Sequence, residues 1–212
     1  LDRQGGAWGA VGRVTFHLAE NKSDPKRPFA FLATYTEKLL EKRPQHIPLG
    51  EALTEYAGEE RRADLLRLLK PVHRAATQSP WVKALVDSGR IYHPLPLDAR
   101  EAHGFLTQLP AMESAGVVVR VPDWWQQKAP PRPRLVITLG KPDKQFGLDA
   151  LLSFEAGFEV EGGAPLTEQE LRALLKAGSG LVRLKGRWVQ VDRERLAAAL
   201  RQFEEAKALA DE

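Results

Sequence analysis

Cysteine is absent from the 212 residues, and methionine occurs once. Without cysteine there are no disulfide staples, no thiolate zinc sites and no cysteine nucleophile in this sequence. That composition fits a reducing compartment, and a cytoplasmic location is the expectation. No apolar run reaches the length of a membrane-spanning helix, so no membrane partner is expected. The first residues lack the basic-then-apolar pattern of a secretion signal. The chain opens on Leu1 instead of Met, and is expected to be a piece of a longer protein.

Catalytic signatures are missing as well. No Gly-x-x-x-x-Gly-Lys-Ser/Thr string occurs, so no phosphate loop with its cradle of backbone amides is expected, and no ATP hydrolysis by this stretch. There is no His-Glu-x-x-His helix; His17, His46, His73, His93 and His103 are scattered without metal-ligand spacing. His17 and Glu20 stand three apart and would share a helix face, but one such pair specifies little and a structural role is the simpler reading. Gly178-Ser179-Gly180 reads as a turn and does not fit the nucleophile elbow, which needs Gly-x-Ser-x-Gly. An independent small-molecule enzyme therefore finds no support in the residues.

What is present is charge, and its distribution says more than its sum. The net charge is +3 and the isoelectric point about 9.2, a balance too mild to point to nucleic acid by itself. Residues 61–74 hold five Lys/Arg against one acid, 128–144 again five against one, and 181–195 five against two. The end of the chain reverses sign, with four acids against one lysine in 204–212.

Residues 1–27 read as loop-rich, with a short apolar run at Val14–Leu18 and breaks at Asp24-Pro25 and Arg27-Pro28. Phe29–Thr36 suits a strand, or the opening of a helix that runs to Lys42. Residues 50–88 read as helical: Leu65, Leu68, Leu69, Val72 and Ala76 make one apolar stripe, with Arg67, Lys70 and Arg74 opposite. Pro71 predicts a kink or break in it. Ser79-Pro80-Trp81 looks like a fresh helix start. Asp98 and Glu101 form a capping box, ahead of a stripe at Ala102, Phe105, Leu106 and Leu109 that Pro110 stops. Val117–Val121 reads as a strand, as do Leu135–Leu139 and Phe154–Val160. Thr167 and Glu170 form a second capping box, opening a helix with Leu171, Leu174 and Leu175. Asp192 caps a last helix with Leu196, Leu200 and Phe203.

The expected fold is α+β, with a helix-rich N-terminal part and a strand-rich C-terminal part that ends in helix, β-hairpin, helix. The stiff Ala-Pro-Pro-Arg-Pro-Arg stretch is the best candidate boundary. It suggests a first part at 1–127, a linker at 128–134 and a second part at 135–212, with one continuous domain as the alternative. The closing helix–hairpin–helix order is reminiscent of a winged helix without its three-helix core.

Two places mix chemistry suited to nucleic acid. Trp124-Trp125 lies near Lys128, Arg132 and Arg134, which joins stacking surfaces to phosphate-seeking charge; tryptophans that merely pack are the simpler reading. The second place is Leu181-Val-Arg-Leu-Lys-Gly-Arg-Trp-Val-Gln-Val191, a tight hairpin turning at Gly186. Strand alternation sends Leu181, Arg183 and Lys185 one way and Val182 and Leu184 the other, and the tip would present Arg183, Lys185 and Arg187 to solvent. Such a ribbon can lie against a duplex backbone. Charges that keep a solvated edge from aggregating are the alternative.

That hairpin, with Leu166-Thr-Glu-Gln-Glu-Leu171 before it and Asp192 after it, resembles the C-terminal part of an accessory region in bacterial Swi/Snf-family helicase-like ATPases. Gly12–Lys22, Pro28–Thr36 and Glu113–Pro122 are similar to the same family, in the same order, so the resemblance covers nearly the whole chain. It implies an N-terminal, non-catalytic portion ahead of a two-lobed motor that translocates on duplex DNA. ATP and magnesium would belong to that motor, and no cofactor is expected here. The implied partner is the motor of the same polypeptide, whose DNA engagement this region would assist or which it would regulate; duplex DNA is a further expected partner, and the basic residues Arg183, Lys185, Arg187, Arg132 and Arg134 are the candidate contacts read from the sequence itself. The alternative is a structural or protein-interaction module that docks on the motor or another protein without touching DNA. The oligomeric state is not legible.

Overall fold

In the computed structural model, residues 12–36, 46–58, 61–126, 130–139, 154–160 and 165–210 are described. The chain divides into two compact units, Leu1–Gln126 and Gln127–Glu212. The architecture is mixed α+β, with helices and strands in both units.

The first unit is built on a sheet of β1 (Arg13–Glu20), β2 (Phe29–Thr36), β3 (Ile47–Pro48), β4 (Leu95–Leu97) and β5 (Val118–Arg120). The order is β3-β2-β1-β5, with β4 also on β2. β2 is antiparallel to its neighbours, whereas β1 and β5 run parallel, Phe16 opposite Val119 and His17 opposite Arg120. The loop-rich reading of residues 1–27 is thus corrected at 13–20, where the apolar run is the middle of a central strand, and holds at 21–27, while residues 1–11 lie outside the described residues. Gly and Pro around it mark the ends of that strand, while the run itself is buried at Val14, Phe16 and Leu18. Strands are therefore found in both units.

Alternation sorts the sheet faces. Val14, Phe16 and Leu18 share one face with Phe29, Phe31, Ala33 and Tyr35, all buried. Helices α1 (Leu49–Glu55), α2 (Arg62–Gln78), α3 (Pro80–Asp87), α4 (Ala99–Thr107), α5 (Leu109–Ser114) and α6 (Asp123–Gln126) complete the unit. Phe31 meets Trp81 of α3 and Phe105 of α4 edge-on at 5.2 and 5.6 Å, and Trp81 and Phe105 meet at 5.0 Å. Such edge-to-face clusters add to what the buried area contributes.

Local signals set several helix starts. Ser79 caps α3, its Oγ accepting from the Val82 N–H at 3.2 Å, with Pro80 at the first position. Asp98 and Glu101 form both bonds of their box, at 2.7 and 3.0 Å. Two expectations fail. α2 runs unbroken through Pro71, because buried Leu68, Val72 and Ala75 hold both sides of it to the core. The carbonyl that loses its partner is that of Arg67, an exposed residue open to water. And α4 ends at Thr107, before Pro110, which sits in the first turn of α5 instead of ending anything; proline has no N–H to lose there. The alternative of a helix opening at Phe29–Thr36 is excluded by β2, and its continuation over 37–42 lies outside the described residues.

The second unit holds β6 (Pro133–Leu139) and β7 (Phe154–Val160), an antiparallel pair, then α7 (Glu168–Ala177), the hairpin β8 (Gly180–Leu184) and β9 (Arg187–Val191), and α8 (Arg193–Ala210). Pro133 and Arg134, placed in the linker by composition, belong to β6 opposite Val160 and Glu159. The core gathers Phe158, Leu171, Leu174, Val189, Val191 and Leu196, and Phe203 meets Phe158 at 5.9 Å.

Candidate nucleic-acid interface

The hairpin turns in two residues. Lys185 (φ 48°) and Gly186 (φ 80°) both take the left-handed conformation, which matches the twist of the strands they join. Glycine adopts it freely; a lysine pays roughly 1–2 kcal/mol. Lys185 is held there from the side. Its Nζ lies 3.1 Å from Glu170 Oε1 and donates to the Pro165 carbonyl at 3.4 Å. Glu170 is anchored in turn by the second capping box, accepting the Thr167 N–H on Oε2 at 2.8 Å. That N–H first, and the Lys185 ammonium after it, hold the Glu170 carboxyl below its ordinary range.

The three expected tip cations therefore do not point the same way. Register puts Arg183 opposite Trp188 and Arg187 opposite Leu184. Cross-strand partners share a face and successive residues alternate, so Arg183 and Arg187 point to opposite sides, and Lys185 turns toward α7. Leu181, on the side of Arg183, is buried, so that side is not purely polar. Arg183 and Arg187 are exposed and form no ion pair with any described residue.

Arg132 and Arg134 have different fates. Arg134 grips Glu159, its cross-strand neighbour, through Nε at 2.9 Å and Nη2 at 2.5 Å. Its charge is matched by a carboxylate. Arg132 makes the same fork onto Gln190 Oε1, at 3.2 and 3.1 Å, and an amide neutralises nothing. The Gln190 N–H also donates to the Pro131 carbonyl at 3.1 Å, so the chain entering β6 is tied to β9. Arg132, Arg134 and Gln190 line a depression of about 550 Å³ with Arg195, Leu196 and Ala199 of α8. Asp192 also lines it, capping α8 by accepting the Arg195 N–H at 3.2 Å and pairing with Arg195 Nε at 3.4 Å. Gln190 and Arg195 were not singled out from sequence. Arg195 belongs to the basic stretch 181–195, but nothing local says which members of that stretch fold onto β6.

Trp124 and Trp125 belong to the first unit and Arg132 and Arg134 to the second; Lys128 lies outside the described residues. Trp124 is half-buried, donates from Nε1 to Glu20 Oε1 at 2.5 Å, and lies 6.2 Å from both Phe29 and Trp125. That is packing. His17 and Glu20 sit on a strand and, three apart, face opposite ways. His17 Nε2 instead shares a hydrogen bond with Thr34 Oγ1 at 2.8 Å, as His46 Nδ1 does with Thr36 Oγ1 at 2.7 Å. Among the described residues no group of three or more potential metal ligands occurs, and no helix is long and apolar enough to cross a membrane.

The fold and the basic ribbon define a mixed α+β chain of two units whose second unit closes as helix, hairpin, helix. Residues 90–211 match the family described as SNF2 Helicase protein, more than half of the chain, and the chain belongs to that family. Over 133 residues it is 29% identical to YwqA of Bacillus subtilis (strain 168), named as a candidate ATP-dependent helicase/translocase. That match covers 61% of this chain and 14% of the relative, so the chain corresponds to a small part of that protein. No solved structure matches the chain. The family match takes in the hairpin, the depression and the end of the first unit.

Proposed function

We propose that this chain is a non-catalytic accessory region of an SNF2-type helicase-like ATPase, and that it engages duplex DNA for a motor carried elsewhere in the same polypeptide. ATP and magnesium belong to that motor. The observation that carries the reading is the hairpin side with Arg183, Trp188 and Gln190, onto which Arg132 folds: two cations that have no carboxylate partner among the described residues. Cations held in this way suit a phosphate backbone, which rewards charge without reading sequence.

A labelled duplex titrated at several salt concentrations tests it. Arg183→Glu is expected to weaken binding about tenfold and to lower the log–log salt slope by about one. Arg187→Glu, on the other side, is expected to change both far less. Absence of duplex binding at low salt, or equal effects of the two reversals, overturns the assignment.

A second reading is a module that docks on the motor or another protein. Leu66, on α2 beside Arg67, is 64% exposed, the kind of apolar residue a docking surface covers. A stable complex with the motor domains that Leu66→Asp abolishes, combined with no duplex affinity, favours it.

A further inference from the structure

We infer that the depression between β6, β9 and the first turns of α8 is a seat for one backbone phosphate of a nucleic-acid strand, with Arg132 as the contacting cation and Gln190 as its positioning residue. The nucleic-acid identity of the strand rests on the reading above; the phosphate seat does not.

Arg132 differs from the other cations of the depression and of the hairpin turn in how it is held. Lys185 is committed to Glu170 and Arg134 to Glu159. Arg195 is 80% exposed and only loosely paired with Asp192, at 3.4 Å. Arg132 is oriented by two hydrogen bonds to one neutral oxygen. A guanidinium has five N–H donors. Two of them meet Gln190 Oε1, three remain, and the guanidinium keeps its full positive charge. Orientation without neutralisation is what a phosphate contact needs, because the ordering cost is met before the ligand arrives.

The surroundings fit the same ligand. Leu196 and Ala199 form an apolar floor beside the charge, suited to a sugar and strengthening the local field. Arg195 lines the same depression, paired with Asp192 at 3.4 Å. The carboxylate in the wall, Asp192, is already used by the α8 cap and by Arg195. The Gln190 N–H to Pro131 bond fixes one wall to the other, so the seat does not depend on side chains alone.

The test uses the whole 212-residue chain and two probes, a labelled duplex and inorganic pyrophosphate, the second followed by calorimetry at low salt. Arg132→Glu is expected to abolish the pyrophosphate heat and to weaken duplex binding about tenfold. Gln190→Ala leaves the net charge unchanged. It is expected to weaken both probes severalfold with the salt slope intact, which diffuse attraction to a basic surface would not produce. Arg183→Glu is expected to weaken the duplex and leave pyrophosphate unchanged. Should Arg132→Glu fail to fold, as judged by its melt, Arg132→Lys keeps the charge and loses the fork, and is expected to behave like Gln190→Ala. Wild-type binding of either probe by both Arg132 and Gln190 variants overturns the seat, whatever Arg183→Glu does. Pyrophosphate binding that depends on Arg132 and Gln190, with no duplex binding by the wild type, supports the seat and overturns the duplex reading.

Discussion

His17 shows how one residue records its surroundings. Burial first, then the charges of Arg120 and His46, push its imidazole below the ordinary 6.5. A lowered value means that the unfolded chain binds the proton more readily than the folded one. The stability contributed by neutral His17 is therefore complete above 6.5 and is lost as the pH falls through the depressed folded value. Arg120→Gln removes the second cause and is expected to raise the His17 titration toward 6.5, read by NMR of the ring. A titration that does not move assigns the whole shift to burial and to His46. Nothing in the sequence foretold this environment. His17 and Arg120 are distant in the chain, and only the parallel pairing of β1 with β5 sets them side by side.

At the scale of elements, what was legible was local. Both capping boxes, the Ser79-Pro80 start and the Asp192 cap are readable because each closes within three residues. Phe29–Thr36 and Phe154–Val160 have the composition of strands and are strands with those bounds. The hairpin itself was legible, its charge geometry was not. That depends on register, and on a salt bridge from the turn to a helix that precedes it. Glu170 links the two, one oxygen on the Thr167 N–H and the other on Lys185. Its lowered value gives a stabilising contribution present above the ordinary carboxylate range and lost as the pH falls through the folded value. Thr167→Ala is expected to cost about 1 kcal/mol, as lost N-caps do. Glu170→Gln is expected to lessen the acid dependence of the melting curve while keeping an acceptor for the Thr167 N–H. A melt of Glu170→Gln with the wild-type dependence on acid would place that dependence elsewhere.

At the scale of the whole molecule, two units carry two cores. Phe105, fully buried, anchors the aromatic cluster of the first, and Leu174, 1% exposed, the centre of the second. Phe105→Ala is expected to cost about 3–5 kcal/mol and Leu174→Ala about 2–5. Denaturant unfolding of the double variant is expected to show the two losses adding within about 0.5 kcal/mol, as they do for sites without shared partners. A clear departure from additivity would mean that the cores are coupled. The mixed class was readable from composition and pattern. The assembly of the first unit's sheet was not, since its five strands pair across long stretches of chain and leave no contiguous signature.

The parallel pairing of β1 with β5 also bears on when the first unit can form. Thr15 waits for Val118, roughly a hundred residues later, and closing so long a loop is a slow, non-local step in folding. During synthesis, β1 and β2 can pair as soon as both have emerged, but the far edge of β1 stays open until residues 118–120 arrive. An uncovered strand edge is an aggregation hazard for that interval. The family match begins at Arg90, so a fragment cut to that boundary would keep β5 and lose the strand it pairs with. A soluble piece of this protein has to begin upstream of Arg13 to hold the first unit, or downstream of Gln126 to dispense with it.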